Sequence, residues 1–411
     1  MREIRRLTKE DLNNYSQIAF HAYPSFKDFS QVGFRNFEEK MLAHMHSDQN
    51  TTFIGLFENG KLAAQMRMIL FETNLFGKIV KTGGLASLAV DNLHKKKGMG
   101  HELLTYFENF CLENNAPIAM LLPFDPLFYH KEGYGYGSKM NLYQIQTNYL
   151  PKYLNKMDMR FLSAVDKQQM QETFNKMLPT SHGLMEKLSY EWQDVFDDLG
   201  NLIVGSYDEN GELEGYLIYR LENDHEQNYT RIRLVVKEMI YADKETMMKL
   251  LGYIHKQDDQ VQYVTLRTFE EDFHYYLTNP VNESLNFIDF GYLEANKQYV
   301  GNMYKLLNVK KAFEQLDYRN YNDVTLNVYF VINNISTYVS FVNGKASVHE
   351  ILETNVKVEM ALTDFSSIFI GATNFDQLYR LGLVKIDNEK YLSTLNQVFY
   401  YHQKPVCWSD F

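Results

Sequence analysis

The chain has 411 residues, 45% of them hydrophobic and 15% aromatic, which is the make-up of a globular protein with two or three domains. Its net charge of −11 argues against a nucleic-acid binder, because phosphate neutralisation needs a basic face. Two cysteines, Cys111 and Cys407, exclude a disulfide framework or a cysteine-rich zinc site. No apolar h-region follows Met1–Arg6 and no run of about 18 apolar residues occurs, so a soluble, cytoplasmic protein without membrane insertion is expected.

In chain order, Ile4 to Leu7 predicts a short strand, and Thr8 with Asp11 caps a helix running to about Ala22. The aromatic, Pro-broken stretch 22–29 predicts a loop or short helix. With Phe34 and Phe37 it is packing or a lining for an acceptor pocket. Phe34, Phe37, Met41 and Met45 mark a second helix, and Thr51–Phe57, Asn59-Gly60 and Leu62–Phe71 mark a hairpin. A strand over Ala86–Val90 then enters a basic loop, Lys95-Lys96-Lys97-Gly98-Met99-Gly100, followed by a helix with Leu103, Leu104, Phe107, Phe110 and Cys111 at helical spacing. A helix that starts behind two glycines and three lysines presents free N–H groups and a positive dipole end, which suits a pyrophosphate. The lysines taken alone would be an ordinary solvated charge run. An apolar strand over 117–122 and a short helix around Phe128-Tyr129 complete the first unit.

Part of this pattern returns. Residues 202–219 repeat the strand, Asn-Gly turn and strand, 232–241 stand for the fourth strand, and 244–254 stand for the helix. No Gly-x-Gly separates the last two, which implies a duplicated fold with one dead site. A third unit carries strands over 324–332 and 337–341, an Asn343-Gly344 turn and helices near 363–370, 374–381 and 392–400. The apolar last stretch, Pro405 to Phe411, reads as docked rather than frayed.

Lys95-x-x-Gly98-x-Gly100, in this order of hairpins and strands, resembles the acyl-CoA motif of the GNAT N-acetyltransferases, with Lys where that family has Arg or Gln. Length, the degenerate second copy and Pro405-x-Cys407-x-x-x-Phe411 make the whole chain similar to the Eis (enhanced intracellular survival) family. The resemblance implies an α+β architecture of tandem GNAT-type mixed-sheet domains followed by a sterol-carrier-protein-like α+β domain. Its expected boundaries are 1–149, 150–300 and 301–411, with the tail docked into the active site.

The resemblance also implies acetyl-CoA as co-substrate and acetyl transfer to amines of cationic, aminoglycoside-like small molecules, in a homo-oligomer, by resemblance a hexamer. Leu88, Ala89 and Val90 would bind the pantetheine through their backbone. Lys96, Lys97, Gly98, Met99, Gly100 and His101 would wrap the pyrophosphate, with Phe124 and Asp125 flanking the cofactor further on. Tyr129 would be the general acid and the Phe411 carboxylate the general base. His94 and His101 lack metal-ligand spacing, so no metal is expected. Asp410 is tail charge or an attractor for a polycation. The competing expectations are a non-enzymatic lipid or small-molecule carrier built on the last domain, and a protein lysine N-acetyltransferase.

Overall fold

A computed structural model of the chain describes residues 1–288, 291–409 and 411; Asp410 lies outside them. The chain forms two compact units, Met1–Gly137 with His182–Tyr190 and Asn302–Phe411, and Ser138–Ser181 with Glu191–Gly301. Residues Ser138–Tyr149, expected in the first domain, therefore fall in the second unit, and Asn302–Leu306 fall in the first.

The reason is strand pairing. Lys139–Gln146 buries Asn141, Tyr143 and Ile145 on one face and pairs antiparallel with Val261–Thr268. Met303–Leu306 pairs antiparallel with Ile118–Leu121. Each sheet is thus completed by a strand from far along the chain, and proximity in sequence misassigns both.

In the first unit, strands β1 (Arg2–Arg6), β2 (Thr51–Glu58), β3 (Lys61–Leu75), β4 (Lys78–Val90) and β5 (Ile118–Leu121) run in that order across the sheet, continued by Met303–Leu306 and Gly135–Tyr136. Two Asn/Gly-type reversals shape it. Asn59 and Gly60 take φ of 52° and 79°, and Phe76 and Gly77 take 54° and 87°, so both β2–β3 and β3–β4 are tight hairpins. The second reversal is spent on a Phe, and β4, one strand of 13 residues, begins right after it, well before the Ala86–Val90 strand expected.

Helices cover both faces. α1 (Leu12–Ala22) and α2 (Gln31–Ser47) bury Leu12, Tyr15, Ile18 and Met41 against Phe53, Phe57 and Ala89. On the other face α3 (Met99–Glu113) buries Leu103, Leu104, Phe107 and Cys111 against Met66, Met68 and Leu85. At about 1.5–3 kcal/mol for each large apolar side chain buried, this stripe fixes α3 against the sheet.

The last part of the chain forms a five-stranded sheet in the order 345–349, 335–342, 326–332, 356–360, 384–386, with helices Leu362–Phe369, Phe375–Arg380 and Leu392–Phe399. It is tied to the first sheet within the same unit. Ser367 donates to the Tyr136 carbonyl at 2.7 Å, Tyr318 donates to the Leu75 carbonyl at 3.0 Å, and Lys305 pairs with Glu108 at 2.7 Å.

The second unit repeats the sheet plan. Leu202–Tyr207 and Leu213–Asn223 are an antiparallel pair, Ile232–Tyr241 follows, and Val261–Thr268 lies parallel to it after the helix Lys244–His255.

Candidate active site

The parallel pairing of β4 with β5 runs only from Gly83↔Ala119 to Leu85↔Leu121, while β4 continues to Val90. Beyond Leu85 the two strands part and leave a β4 edge without a β5 partner. The register against β3 also slips there. Gln65 faces Ala89 and Arg67 faces Ala86, so Ser87 and Leu88 together oppose Met66. Ser87 takes φ of 51° to make this bulge. An exposed strand edge is a template for an extended, amide-bearing chain, which is what a pantetheine arm is. Of the expected contacts, the Leu88 carbonyl is engaged internally, accepting the Tyr23 hydroxyl at 2.7 Å.

The loop after β4 arrives at α3 with Gly98 as its N-cap at φ 79°, and no side chain caps the helix. A Cβ at Gly98 would meet nothing within 4 Å, so the glycine serves backbone conformation and leaves the space in front of the helix open. The N–H groups of Met99, Gly100 and His101 belong to the first turn and have no intrahelical acceptor. Gly100 matters for packing: a Cβ there would lie 3.3 Å from the Phe128 ring.

Lys96 and Lys97 are exposed around this opening, and Lys96 has φ of 62°. Salt bridges hold the loop from behind. Arg2 pairs with Glu58 at 3.3 Å and Glu102 at 3.0 Å and donates to the Lys97 carbonyl at 3.1 Å. The His101 ring lies 2.7 Å from Glu132.

Asp125 caps the short helix α4 (Pro126–Lys131), accepting from the Leu127 and Phe128 N–H groups at 3.1 and 3.4 Å. Phe124, exposed, meets the Tyr23 ring edge-on at 5.4 Å. Tyr129, on α4, is buried with Tyr134 and the α3 core. Burial, followed by Tyr23 and Asp125, pushes its phenol well above the ordinary value, so it is protonated at neutral pH. Tyr23 is pushed up to about 12, again chiefly by burial. Loop, strand edge, Tyr23, Phe124, Asp125 and Tyr129 therefore come together.

Phe411 reaches the same sheet at a different place. Its ring packs edge-on against Phe71 at 4.9 Å and lies 3.3 Å from where a Cβ on Gly84 would be. Gly84 precedes Leu88 by four residues, about 13 Å of strand at ~3.3 Å per residue. The tail is led there by the segment His182–Tyr190: the Val406 N–H donates to the His182 carbonyl at 2.9 Å, and the Gly183 N–H to Asn74 at 2.7 Å.

The second unit shows how the repeat differs. The helix Lys244–His255 is capped by Asp243, whose carboxylate accepts from the Thr246 N–H at 2.8 Å. A carboxylate fills the position that Gly98 leaves open, so the second helix end repels an anion.

Among the described residues no group of three or more His, Cys, Asp or Glu could hold a metal, and no helix is long and apolar enough to cross a membrane.

Two matches to the family of the acetyltransferase (GNAT) domain cover residues 3–137 and 183–287, and the sterol carrier protein domain matches residues 309–408. Solved structures align over nearly the full length. Eis1 from Mycobacterium abscessus matches with a TM-score of 0.78, 16% identity and 100% of both chains covered. The chain is a GNAT acetyltransferase of Eis-like architecture. A GCN5-related N-acetyltransferase from Anabaena variabilis has a TM-score of 0.80 at 15% identity, with 99% of each chain covered. Another, from Kribbella flavida, has a TM-score of 0.76 at 15% identity, with 100% of this chain and 98% of the other covered. No curated protein sequence matches the chain. The α+β architecture of two GNAT domains and a sterol-carrier-type domain is thereby established, and GNAT domains use acetyl-CoA as co-substrate.

Sequence reasoning did not single out Tyr23, Arg67 or Ser87 in this GNAT acetyltransferase. Tyr23 sits in the aromatic loop noted as a possible pocket lining. Arg67 and Ser87 stand inside strands, where nothing in a sequence marks a bulge.

Proposed function

We propose that the chain catalyses direct transfer of acetyl from acetyl-CoA to a small-molecule amine in the first unit. The observation that carries this reading is the pairing of an uncapped α3 N-terminus with the β4 edge left open beyond Leu85, inside a domain of acetyltransferase type. Lys96, Lys97, Gly98 and the N–H groups of Met99, Gly100 and His101 hold the pyrophosphate, and Ala89 and Val90, with Leu88 beside them, line the pantetheine arm.

In the reaction the amine nitrogen bonds to the thioester carbonyl carbon, the C–S bond breaks, and the ammonium proton must leave. The Phe411 carboxylate is the base, directly or through water; an α-carboxyl is ionised at pH 7. Tyr129 faces the departing thiolate. A phenol held above its ordinary pKa keeps its proton, so it acts by donating a hydrogen bond as sulfur charge develops and passes a proton only as the thiol forms.

Net charge and resemblance favour a cationic, aminoglycoside-like acceptor in a cytoplasmic hexamer. Charge local to the sheet favours a different acceptor, argued below. The test is calorimetric titration with acetyl-CoA followed by a free-thiol assay over a panel of amines. Absence of cofactor binding at millimolar concentration refutes the reading, and light scattering reports the oligomer.

A further inference from the structure

Arg67 is 8% exposed, on the sheet face that carries Phe53 of β2 and Phe71 of β3 and lies opposite α3. Its Nε donates to the Ser87 hydroxyl at 3.2 Å, and its buried Nη1 has no hydrogen-bond partner. Among the described residues no ion pair joins it to a carboxylate. Its other neighbours are rings, Tyr190 at 5.6 Å and Phe53 at 5.9 Å.

One more fully buried side chain on this face is unpartnered: both amide atoms of Gln65, two residues earlier on β3, make no hydrogen bond. The Tyr15 hydroxyl of α1, also buried, lies beside Ser87. The charge of Arg67 acts on Tyr15, Tyr23, Lys27 and His44. Burial foremost, then the charges of Arg67 and Lys40, bring Lys27 down to about 8 and His44 to about 3. A buried guanidinium without a counter-ion, beside spare donors, costs a fold stability and leaves hydrogen-bonding capacity for a ligand. The cluster adjoins Ser87, the residue before the strand segment that presents the thioester.

We propose that the acceptor amine carries an oxyanion, a carboxylate or a phosphate, which Arg67 receives beside Ser87 with Tyr15 and Gln65 adding hydrogen bonds. The planar guanidinium matches either group. The inference rests on the acetyl-transfer reading and narrows its acceptor class away from polycations.

The test titrates amines into the enzyme saturated with CoA, using β-alanine and 2-aminoethyl phosphate against propylamine and spermidine. The two anionic probes separate carboxylate from phosphate. Binding of at least one is expected, at least about tenfold tighter than propylamine. Arg67→Met is expected to abolish that preference, leave CoA affinity unchanged, and leave Tm equal or higher, an outcome a merely structural arginine would not give. Tyr15→Phe, which keeps the charge, should weaken the anionic probe by about threefold. Equal or tighter binding of propylamine or spermidine overturns the proposal. So does an anion preference that survives Arg67→Met, or failure of both anionic probes to bind. Loss of CoA binding by the wild-type protein would instead refute acetyl transfer itself.

Discussion

The Phe411 ring stands edge-on to Phe71 at a centroid distance of 4.9 Å, and the Gly84 backbone beneath has no side chain to hold it off. The end of the described chain is therefore seated on β3 and β4, the strands whose lower ends carry Arg67 and Leu88. Edge-on aromatic pairs contribute about 0.5–1.5 kcal/mol beyond area burial, enough to hold a tail but not a domain.

Extending the chain past Phe411, or deleting it, is therefore expected to lower kcat at least tenfold with little change in acetyl-CoA affinity or Tm. Phe71→Ala should act in the same direction by unseating the ring. Full turnover in a C-terminally extended protein would remove the carboxylate from the mechanism.

Tyr129→Phe should reduce kcat by roughly ten- to a hundredfold and leave acetyl-CoA binding intact, since the role proposed for the phenol is on the leaving group. Because burial raises the folded-state pKa, the wild-type rate should show no basic limb from this residue below about pH 10. A limb near pH 8 that disappears in Tyr129→Phe would contradict the assignment.

Gly98→Asp recreates the arrangement at Asp243. An N-cap carboxylate stabilises a helix by about 1 kcal/mol, and the left-handed φ of 79° costs a non-glycine residue a comparable amount, so Tm should barely move. The added charge in front of the helix should weaken acetyl-CoA by tenfold or more. Unchanged affinity, measured by calorimetry, would place the pyrophosphate elsewhere.

His182 supplies the acid-side weakness of the fold. The Phe76 N–H donates to its Nδ1 at 3.1 Å, so Nε2 carries the hydrogen and donates to the Ile370 carbonyl at 2.9 Å. Burial lowers its pKa to about 4, from about 6.5 in an unfolded chain. Between these values the unfolded state binds the extra proton. The stabilisation is complete above about pH 6.5 and is lost as pH falls toward 4, up to about 3 kcal/mol. Tm should drop across that window, and His182→Gln should flatten the drop. An identical pH profile in the variant would assign the acid sensitivity to other groups.

The sequence by itself determined the elements. Helical spacing in Leu103, Leu104, Phe107 and Cys111, the Asn-Gly reversals and the Gly98-x-Gly100 loop are local patterns, and local patterns are legible without a fold. The repeat, and the loss of its glycines, were legible for the same reason. The tertiary structure alone decided which strands complete which sheet, because Lys139–Gln146 and Met303–Leu306 pair across more than a hundred residues of chain. It alone decided that β4 bulges at Ser87 and that Tyr23 holds Leu88. It also set an unpaired Arg67 beside them, since a guanidinium's partners depend on what packs around it and not on its neighbours in sequence. The proposed cofactor cradle rests on backbone conformation and could be read early. The proposed acceptor preference rests on buried charge, and only packing shows which charges are left without partners.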